Sequence, residues 1–229
     1  MNNEAVYIHS RNNVVEHNLS KTIKFKCYLF IKRTFDILMA LFGCIVLVPI
    51  MFLVKISNIL SKDFESIFYE QKRIGKDGKV FYLYKFRSMV CDADEVLKEL
   101  LKDPKRKEEW DLNQKFEQDP RITKIGNFLR KTSLDELPQF INVLKGDMSL
   151  IGPRPLVEGE LDVHHGNHSI YESVRPGITG WWACNGRSTT TYEERLKLEY
   201  YYVKNRNITL DIKCIFKTIE IVLRRQGAK

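Results

Sequence analysis

Hydrophobic residues are unevenly distributed along the chain, and the longest uncharged stretch lies near its start. Residues 37–54 (ILMALFGCIVLVPIMFLV) contain no charged side chain. As an α-helix rising ~1.5 Å per residue, this stretch is ~27 Å long, just short of the ~30 Å hydrocarbon core of a bilayer. The pattern therefore predicts a membrane helix within residues 31–60, with a length that makes a full crossing marginal.

The charges on either side of this stretch favour a helix that enters and leaves the membrane on one side. Basic residues dominate both flanks: Lys21, Lys24, Lys26, Lys32 and Arg33 before it, and Lys55, Lys62, Lys72, Arg73, Lys76 and Lys79 after it. Positively charged flanks stay on the cytoplasmic side, and Pro49 supplies a bend at which the helix can turn back. We expect a re-entrant helix-break-helix; a straight signal anchor with an incidental proline kink is the alternative.

Shorter patterns predict one β-hairpin and several small helices in the rest of the chain. Gly75, Asp77 and Gly78 form the turn of a hairpin over residues 69–89. Helical periodicity occurs at residues 92–110, interrupted by Pro104, at residues 136–144, closed by Gly146, and at residues 195–202. Residues 1–30 are polar and predict an irregular, loosely packed tail. The predicted fold class is α+β and mainly helical, with interfacial amphipathic helices.

Residues 211–225 predict a basic amphipathic helix. One face carries apolar side chains and the opposite face carries basic ones: Ile212, Ile215, Phe216, Ile219 and Val222 against Lys213, Lys217 and Arg224. Such a helix either lies on an anionic membrane surface or packs on the core with its basic face in water. The pattern leaves both interpretations open.

Composition and charge narrow the class of protein. With 44% hydrophobic and 29% charged residues, the chain is globular, which excludes a disordered or collagen-like protein. The formal net charge of +8 indicates an anionic partner: nucleic acid, a membrane surface or a phosphorylated substrate. The five cysteines are scattered without CxxC spacing, which predicts neither a disulfide framework nor a zinc site and favours a reducing, cytoplasmic setting.

The adjacent carboxylates Asp135 and Glu136 are the strongest candidates for chemistry. Ser133 and Glu136 have the spacing of a capping box, so a plain capped helix start is one interpretation. Pro138 weakens it, because proline would then fall where the helix needs an N–H. In the other interpretation both acids precede the helix. One carboxylate then attacks phosphorus while the other holds a divalent metal, and Mg²⁺ prefers one or two carboxylates plus substrate phosphates.

Basic residues in turn-rich contexts surround this pair in the sequence and are candidates for phosphate binding. They are Lys85, Arg87, Arg121, Arg130, Arg154, Arg175 and Arg187. Arg154 is the most suggestive, because Pro153 and Pro155 restrict the backbone on both sides of it. Three histidines, His164, His165 and His168, either ligate a metal or lie in a solvated loop.

Taken together, these motifs resemble those of the bacterial sugar transferases, the monotopic polyprenyl-phosphate phosphoglycosyl transferases. The resemblance covers residues 32–225 and is carried by KFRSM (85–89), DPRITKIGNFLRKTSLDELPQ (119–139), NVLKGDMSLIGPRP (142–155) and VRPGITGWWACNGR (174–187). It implies that a re-entrant membrane helix is followed by a cytoplasmic catalytic domain, residues 61–229, on the inner membrane. The family commonly has Ser-Pro at the helix break, where this chain has Val48-Pro49.

The resemblance also implies an activity and roles for residues. A hexose 1-phosphate is transferred from a UDP-sugar to undecaprenyl phosphate and UMP is released, as the first step of exopolysaccharide, capsule or O-antigen assembly. Asp135 would be the nucleophile, Glu136 the Mg²⁺ ligand and Arg154 a phosphate or nucleotide contact. The long insertion at residues 90–118 is similar to that of members using glucose or galactose donors; an N-acetylated or diacetamido sugar is the alternative.

Other functions and partners remain to be weighed. A non-catalytic membrane-bound assembly factor would keep the fold without the activity, but Asp135, Glu136 and Arg154 are all present. Nucleic-acid binding would use the positive charge, yet no known binding motif occurs, and we expect no nucleic-acid partner. Inner-membrane lipids are expected partners, and a homodimer is left open.

Overall fold

The computed structural model describes residues 3–113, 116–186 and 190–223, with side chains described for 22–112, 116–186 and 190–221. It is mainly helical, as the sequence predicts. The helices are α1 (Asn3–Leu60), α2 (Ala93–Leu100), α3 (Pro104–Asn113), α4 (Lys124–Lys131), α5 (Gln139–Lys145), α6 (Glu160–Val163), α7 (His168–Tyr171), α8 (Trp181–Asn185), α9 (Tyr192–Asn205) and α10 (Ile208–Leu223). The strands are β1 (Phe68–Ile74), β2 (Val80–Phe86), β3 (Ser149–Ile151) and β4 (Gly177–Thr179).

Helix α1 contains the predicted membrane segment but differs from the prediction in two places, before that segment and at Pro49 within it. Its backbone is helical from Asn3, where the sequence predicts an irregular tail, and it continues through Pro49 without a break between two helices. Proline removes one backbone hydrogen bond, and a helix tolerates this where packed neighbours hold it in place. By length and composition, residues 22–60 of this helix are able to cross a membrane.

The side of α1 that faces the rest of the protein is packed along most of its length. Ala40 belongs to a core cluster with strand β2 and helix α5, and Leu47 and Val54 join another cluster with Phe86 and Leu129. A Cβ atom on Gly43 would lie 2.5 Å from the Phe140 ring, so glycine permits this close approach of α1 to α5. The remaining sides of α1 expose large apolar residues: Leu38, Phe42, Ile45, Val48, Phe52 and Leu53.

The hairpin is confirmed. Strands β1 and β2 pair antiparallel, with Phe68 opposite Phe86 and Ile74 opposite Val80. Asp77 and Gly78 have φ of 58° and 71°, left-handed values that Asp and Gly adopt more readily than most residues. The interrupted helix is confirmed as well, because α2 ends before Pro104 and α3 begins at it.

A second, two-stranded sheet was not predicted. Strands β3 and β4 pair in parallel, with Ser149 opposite Gly177. The two strands and their flanking loops approach closely: a Cβ on Gly177 would lie 2.1 Å from Gly152 N, and one on Gly180 would lie 2.1 Å from Gly152 O. The sheet thereby places residues 153–155 beside residues 180–182.

The C-terminal helices pack onto this sheet and onto α1. A capping box between Thr191 and Glu194 starts α9. On α10, the Asp211 carboxylate is buried and accepts hydrogen bonds from Tyr28 Oη (3.0 Å) and Tyr202 Oη (2.7 Å). This network ties α1, α9 and α10 together.

Helix α10 is amphipathic, but its buried face differs from the predicted one. Leu210 and Cys214 join the core cluster, whereas much of the predicted apolar face is exposed: Ile212, Phe216 and Ile219. The helix therefore packs on the core and also leaves an apolar stripe uncovered. Arg224 lies outside the described residues.

Candidate active site

A cleft of about 520 Å³ brings together six of the residues predicted from the sequence. Its walls include the end of β2, the segment after it, and the turn between α4 and α5. The six residues are Lys85, Arg87, Arg121, Arg130, Asp135 and Glu136. They come from two sequence motifs, residues 85–89 and 119–139, that the fold brings together.

The two carboxylates lie on a short turn ahead of a helix. Asp135 and Glu136 belong to a 3₁₀ turn, Leu134–Glu136, and α5 begins only at Gln139. Ser133 is left-handed (φ 55°) and its side chain makes no capping hydrogen bond. The capped-helix interpretation is therefore wrong, and so is the predicted helix start at residue 136. Gly146 does close α5, with φ of 90°.

The environments of the two acids differ. Glu136 Oε1 accepts a hydrogen bond from Lys85 Nζ at 3.0 Å, which forms an ion pair across the cleft. Burial raises the pKa of Asp135, and the neighbouring Glu136 raises it further; Lys85 and Arg130 only partly oppose this. The surroundings of Asp135 therefore disfavour the charged form of its side chain.

Two of the cleft's arginines are already neutralised by acids. Arg87 contacts both carboxylate oxygens of Asp63 at 2.8 Å. Arg121 is buried in a two-pronged pair with Asp119, at 2.9 and 2.7 Å, and lies 5.2 Å from the centre of the Trp110 ring. These ion pairs fix the two arginine side chains in the walls of the cleft. Because each positive charge is offset by a carboxylate, neither arginine is well placed to bind an anionic ligand.

Arg130 differs from these two arginines. It is half-buried, and its Nε donates to the neutral Ser88 Oγ at 2.8 Å. Its charge acts on Asp135, whose pKa it lowers. Arg130 is therefore the arginine of this cleft best placed to meet an incoming phosphate.

The Pro153-Arg154-Pro155 segment borders a second, smaller cavity of about 110 Å³. Arg154 and Pro155 line it together with Lys85 and Glu136, which also line the large cleft. The two cavities therefore meet at the Lys85–Glu136 ion pair. Pro153 does not line this cavity and lines a third one instead.

Hydrogen bonds on both sides fix the backbone of Arg154. Its N–H donates to Glu199 Oε1 at 3.0 Å, and its carbonyl accepts from Tyr171 Oη at 2.9 Å. The prolines on either side are buried while the Arg154 side chain is exposed. The guanidinium is thus presented by a rigid backbone, as the two prolines predict.

One further predicted residue, Arg175, lines neither cavity. Arg175 lies beside α1 in a hollow that Lys32 and Arg33 also line, and its Nε donates to Gly146 O at 2.7 Å. Sequence order could not reveal this, because Arg175 is placed by the long-range pairing of β3 and β4. Arg187 lies outside the described residues.

The histidines form no metal centre within the described part of the chain. No group of three or more His, Cys, Asp or Glu side chains there has the arrangement of a metal site. His168 is exposed and contacts Asp162 and Glu172 at 2.7 and 2.6 Å. All three histidine side chains are exposed; His164 and His165 follow α6, and His168 begins α7.

The lack of a group of three metal-ligating side chains among the described residues also limits how a Mg²⁺ ion would be held. Asp135 and Glu136 are two adjacent carboxylates in an open cleft, and burial, together with the charge of Glu136, raises the pKa of Asp135. Mg²⁺ is often bound by one or two carboxylates with substrate phosphates completing its coordination. The two carboxylates therefore fit a Mg²⁺ site whose coordination is completed only when the substrate's phosphates are bound.

The sequence was compared with known protein families. Residues 27–225 match the family model described as bacterial sugar transferase. The chain belongs to this family. The match covers the apolar segment of α1 and the residues that line both cavities.

Relatives in this sugar transferase family are similar over nearly the whole chain. The UDP-galactose-lipid carrier transferase of Erwinia amylovora is 44% identical across 98% of this chain and 45% of its own length. The undecaprenyl-phosphate galactose phosphotransferase of Salmonella typhimurium is 45% identical across 93% and 44%. The chain thus spans less than half of these two relatives. The exopolysaccharide production protein ExoY of Sinorhizobium fredii is 42% identical across 86% and 87%.

Sequence reasoning missed several residues around the sugar transferase cleft. Ser88 and Asp63, which orient Arg130 and Arg87, gave no pattern of their own. Glu199 did carry a signal: it shares the buried face of α9 with Leu196 and Tyr202, where an acid is out of place. An acid on a buried helix face indicates a charge that needs a partner, and the buried Arg195 lies one turn before it.

Proposed function

We propose that this protein transfers a hexose 1-phosphate from a UDP-sugar to undecaprenyl phosphate and releases UMP. The observation that carries the proposal is the single cleft that collects Asp135, Glu136, Lys85 and Arg130 beside a membrane helix. The names of the relatives, which include sugar phosphotransferases and an exopolysaccharide production protein, support it. The role would be the initiating step of exopolysaccharide, capsule or O-antigen assembly.

The proposed chemistry proceeds in two displacements at one phosphorus atom. An Asp135 carboxylate oxygen attacks the sugar-bearing phosphorus of the donor. The bond to the bridging oxygen breaks, and that oxygen leaves on UMP. A phosphate oxygen of undecaprenyl phosphate then attacks the same phosphorus and frees the Asp135 carboxylate. The two substrates, one soluble and one in lipid, never need to be bound together.

The other cleft residues have supporting roles in this proposal. Lys85 and Arg130 bind the donor's phosphates and offset their charge, and Arg154 does so from the adjoining cavity. Glu136, with the substrate phosphates, would hold Mg²⁺. When bound, Mg²⁺ neutralises charge on the diphosphate and the departing nucleotide. EDTA should then abolish activity, and Glu136→Gln should be poorly rescued by excess Mg²⁺.

The membrane segment is proposed to be re-entrant, with both ends on the cytoplasmic face of the inner membrane. Tyr28, before the apolar run, donates a hydrogen bond to Asp211, and Val54, the last residue of the run, belongs to the same core cluster as Leu129. Both ends therefore contact the same domain, and both flanks are basic. The exposed apolar stripe of α10, including Phe216, would rest on the lipid surface.

The donor sugar is proposed to be galactose or glucose. Two relatives carry galactose in their names, which supports a hexose without an acetamido group. An N-acetylated sugar is the alternative within the same chemistry.

A donor screen tests the proposed function. The purified chain in lipid nanodiscs is incubated with undecaprenyl phosphate, Mg²⁺ and each of several UDP-sugars, and released UMP and labelled lipid are measured. We expect one neutral hexose donor to give both products. Asp135→Asn is the matched control, because an amide is a poor nucleophile of the same shape. Absence of turnover with every donor, or unchanged turnover in Asp135→Asn, would contradict the proposal.

A further inference from the structure

The smaller cavity contains two buried polar atoms that the fold does not satisfy. Glu199 is 1% exposed, and one of its oxygens, Oε2, has no hydrogen-bond partner among the residues that the structure describes. The same holds for Arg73 Nε. Both side chains line the cavity of about 110 Å³ that meets the large cleft at Glu136. Unsatisfied buried groups are rare and call for an explanation.

The position of Glu199 is fixed by its other oxygen. Oε1 accepts the Arg154 N–H at 3.0 Å, so the carboxylate cannot rotate to satisfy Oε2 without losing that bond. Burial raises the pKa of Glu199 to about 7, although Arg154 and Arg195 oppose this rise. Arg73 is held in the same way, since Nη1 donates to Pro155 O at 3.1 Å and Nη2 to Gln71 Oε1 at 2.6 Å. The open positions at Oε2 and Nε therefore belong to rigid side chains.

The ligand that suits these positions must both donate and accept hydrogen bonds. A carboxylate oxygen needs a donor and a guanidinium N–H needs an acceptor, and a hydroxyl group serves as either. The ligand must also be attached to a phosphate in the large cleft, because the cavities are joined at the Lys85–Glu136 pair. We propose that the smaller cavity is the sugar subsite, in which Glu199 Oε2 and Arg73 Nε bind hydroxyl groups of the donor's hexose ring.

The nucleotide base is a poorer fit to this cavity. The volume is about 110 Å³, against about 520 Å³ in the neighbouring cleft, which leaves the larger space for the nucleotide. The aromatic ring available for stacking, Trp182, already has the guanidinium groups of Arg195 and Arg154 at 4.9 and 5.9 Å from its centre. A base would have to displace them, whereas a hydroxyl-bearing ring needs only the open polar atoms.

This inference rests on the proposed function, and a substrate series tests it separately. The wild type and Glu199→Gln are assayed with the hexose donor and with its monodeoxy UDP-sugars, and the inhibition constant of UMP is measured for both proteins. Glutamine keeps the shape and an oxygen for the Arg154 N–H but removes the charge. In the wild type, we expect one deoxy donor to lose about 10- to 150-fold in kcat/KM. In Glu199→Gln that discrimination should fall to within about threefold, with the inhibition constant of UMP unchanged.

Tyr171→Phe is the matched control. It removes the other hydrogen bond to the Arg154 backbone and leaves the cavity lining intact. We expect it to retain the wild-type discrimination among donors. The sugar subsite is refuted if Glu199→Gln keeps the wild-type discrimination among donors. It is also refuted if Glu199→Gln lowers kcat/KM for every donor and the affinity for UMP by the same factor, which is the effect expected of Tyr171→Phe acting through Arg154. If the wild type turns over no donor, the proposed function itself fails.

Discussion

Replacing Glu199 by glutamine should change the pH dependence of stability, apart from any effect on activity. In the folded protein the pKa of Glu199 is raised to about 7 from its ordinary value of 4.5, chiefly by burial. Between these two values the folded state keeps a proton that the unfolded state releases. Raising the pH through this window therefore favours unfolding, and the whole cost is present above pH 7.

The magnitude follows from the two pKa values. The difference between 4.5 and about 7, at about 1.4 kcal/mol per pH unit, corresponds to about 3 kcal/mol of lost stability. Because Glu199 is 1% exposed, solvent screens little of this cost. For a chain of this size, about 3 kcal/mol corresponds to about 6–12 °C in Tm.

The assay is thermal unfolding of wild type and Glu199→Gln in detergent between pH 5 and pH 8. Glutamine has no charge to bury, so the Tm of the variant should rise relative to that of the wild type as the pH rises. By pH 8 the difference should reach most of the about 6–12 °C derived above. Glu158→Gln is the control, because Glu158 is exposed and its neutralisation should leave the pH profile unchanged. Parallel Tm curves for wild type and Glu199→Gln across this range would refute the reasoning about a buried, poorly compensated carboxylate.

Three further outcomes are expected. The kcat/KM for the donor should decline with falling pH through a pKa above that of an ordinary aspartate, because burial raises the pKa of Asp135; a profile flat down to pH 4 would contradict this. Arg154→Ala should lower kcat/KM for the nucleotide sugar by about 10- to 150-fold, with Arg154→Lys intermediate; a loss within twofold would make Arg154 structural. Asp211→Ala should lower the free energy of unfolding by about 3 to 5 kcal/mol, because Lys32 loses its ion-pair partner and Tyr28 and Tyr202 lose a buried acceptor. Tyr28→Phe should cost less, and equal losses would contradict the network.

Features specified by nearby residues were predictable from the sequence. The hairpin follows from Asp77 and Gly78 at its turn, and the end of α5 follows from Gly146. Pro104 separates two helices because proline suits a first helical turn and disrupts an interior. In each case the deciding interaction spans only a few residues.

Features that depend on distant parts of the chain could not be predicted in this way. Strands β3 and β4 have three residues each, and their pairing depends on the glycines at 152 and 177 meeting across the fold. Arg175 was placed with the cleft because it is a turn arginine, and it lies beside α1 instead. The motifs did identify the cleft's charged residues, but they could not distinguish Arg121, which is buried against Asp119, from Arg130, which is free of an acidic partner within the described residues.

Helix α1 and the part of the chain after residue 60 share one interior, so neither can be separated from the other without exposing apolar side chains. Ala40, Leu47 and Val54 fill the same interior as Phe86 and Leu129, so cutting the chain after residue 60 would open that interior to water. In the proposed function, the packing of α1 against the rest of the protein would also fix the depth of the cleft relative to the lipid headgroups. An acceptor phosphate held at the bilayer surface would then meet Asp135 at a fixed height, which makes bilayer thickness a variable that should tune the rate.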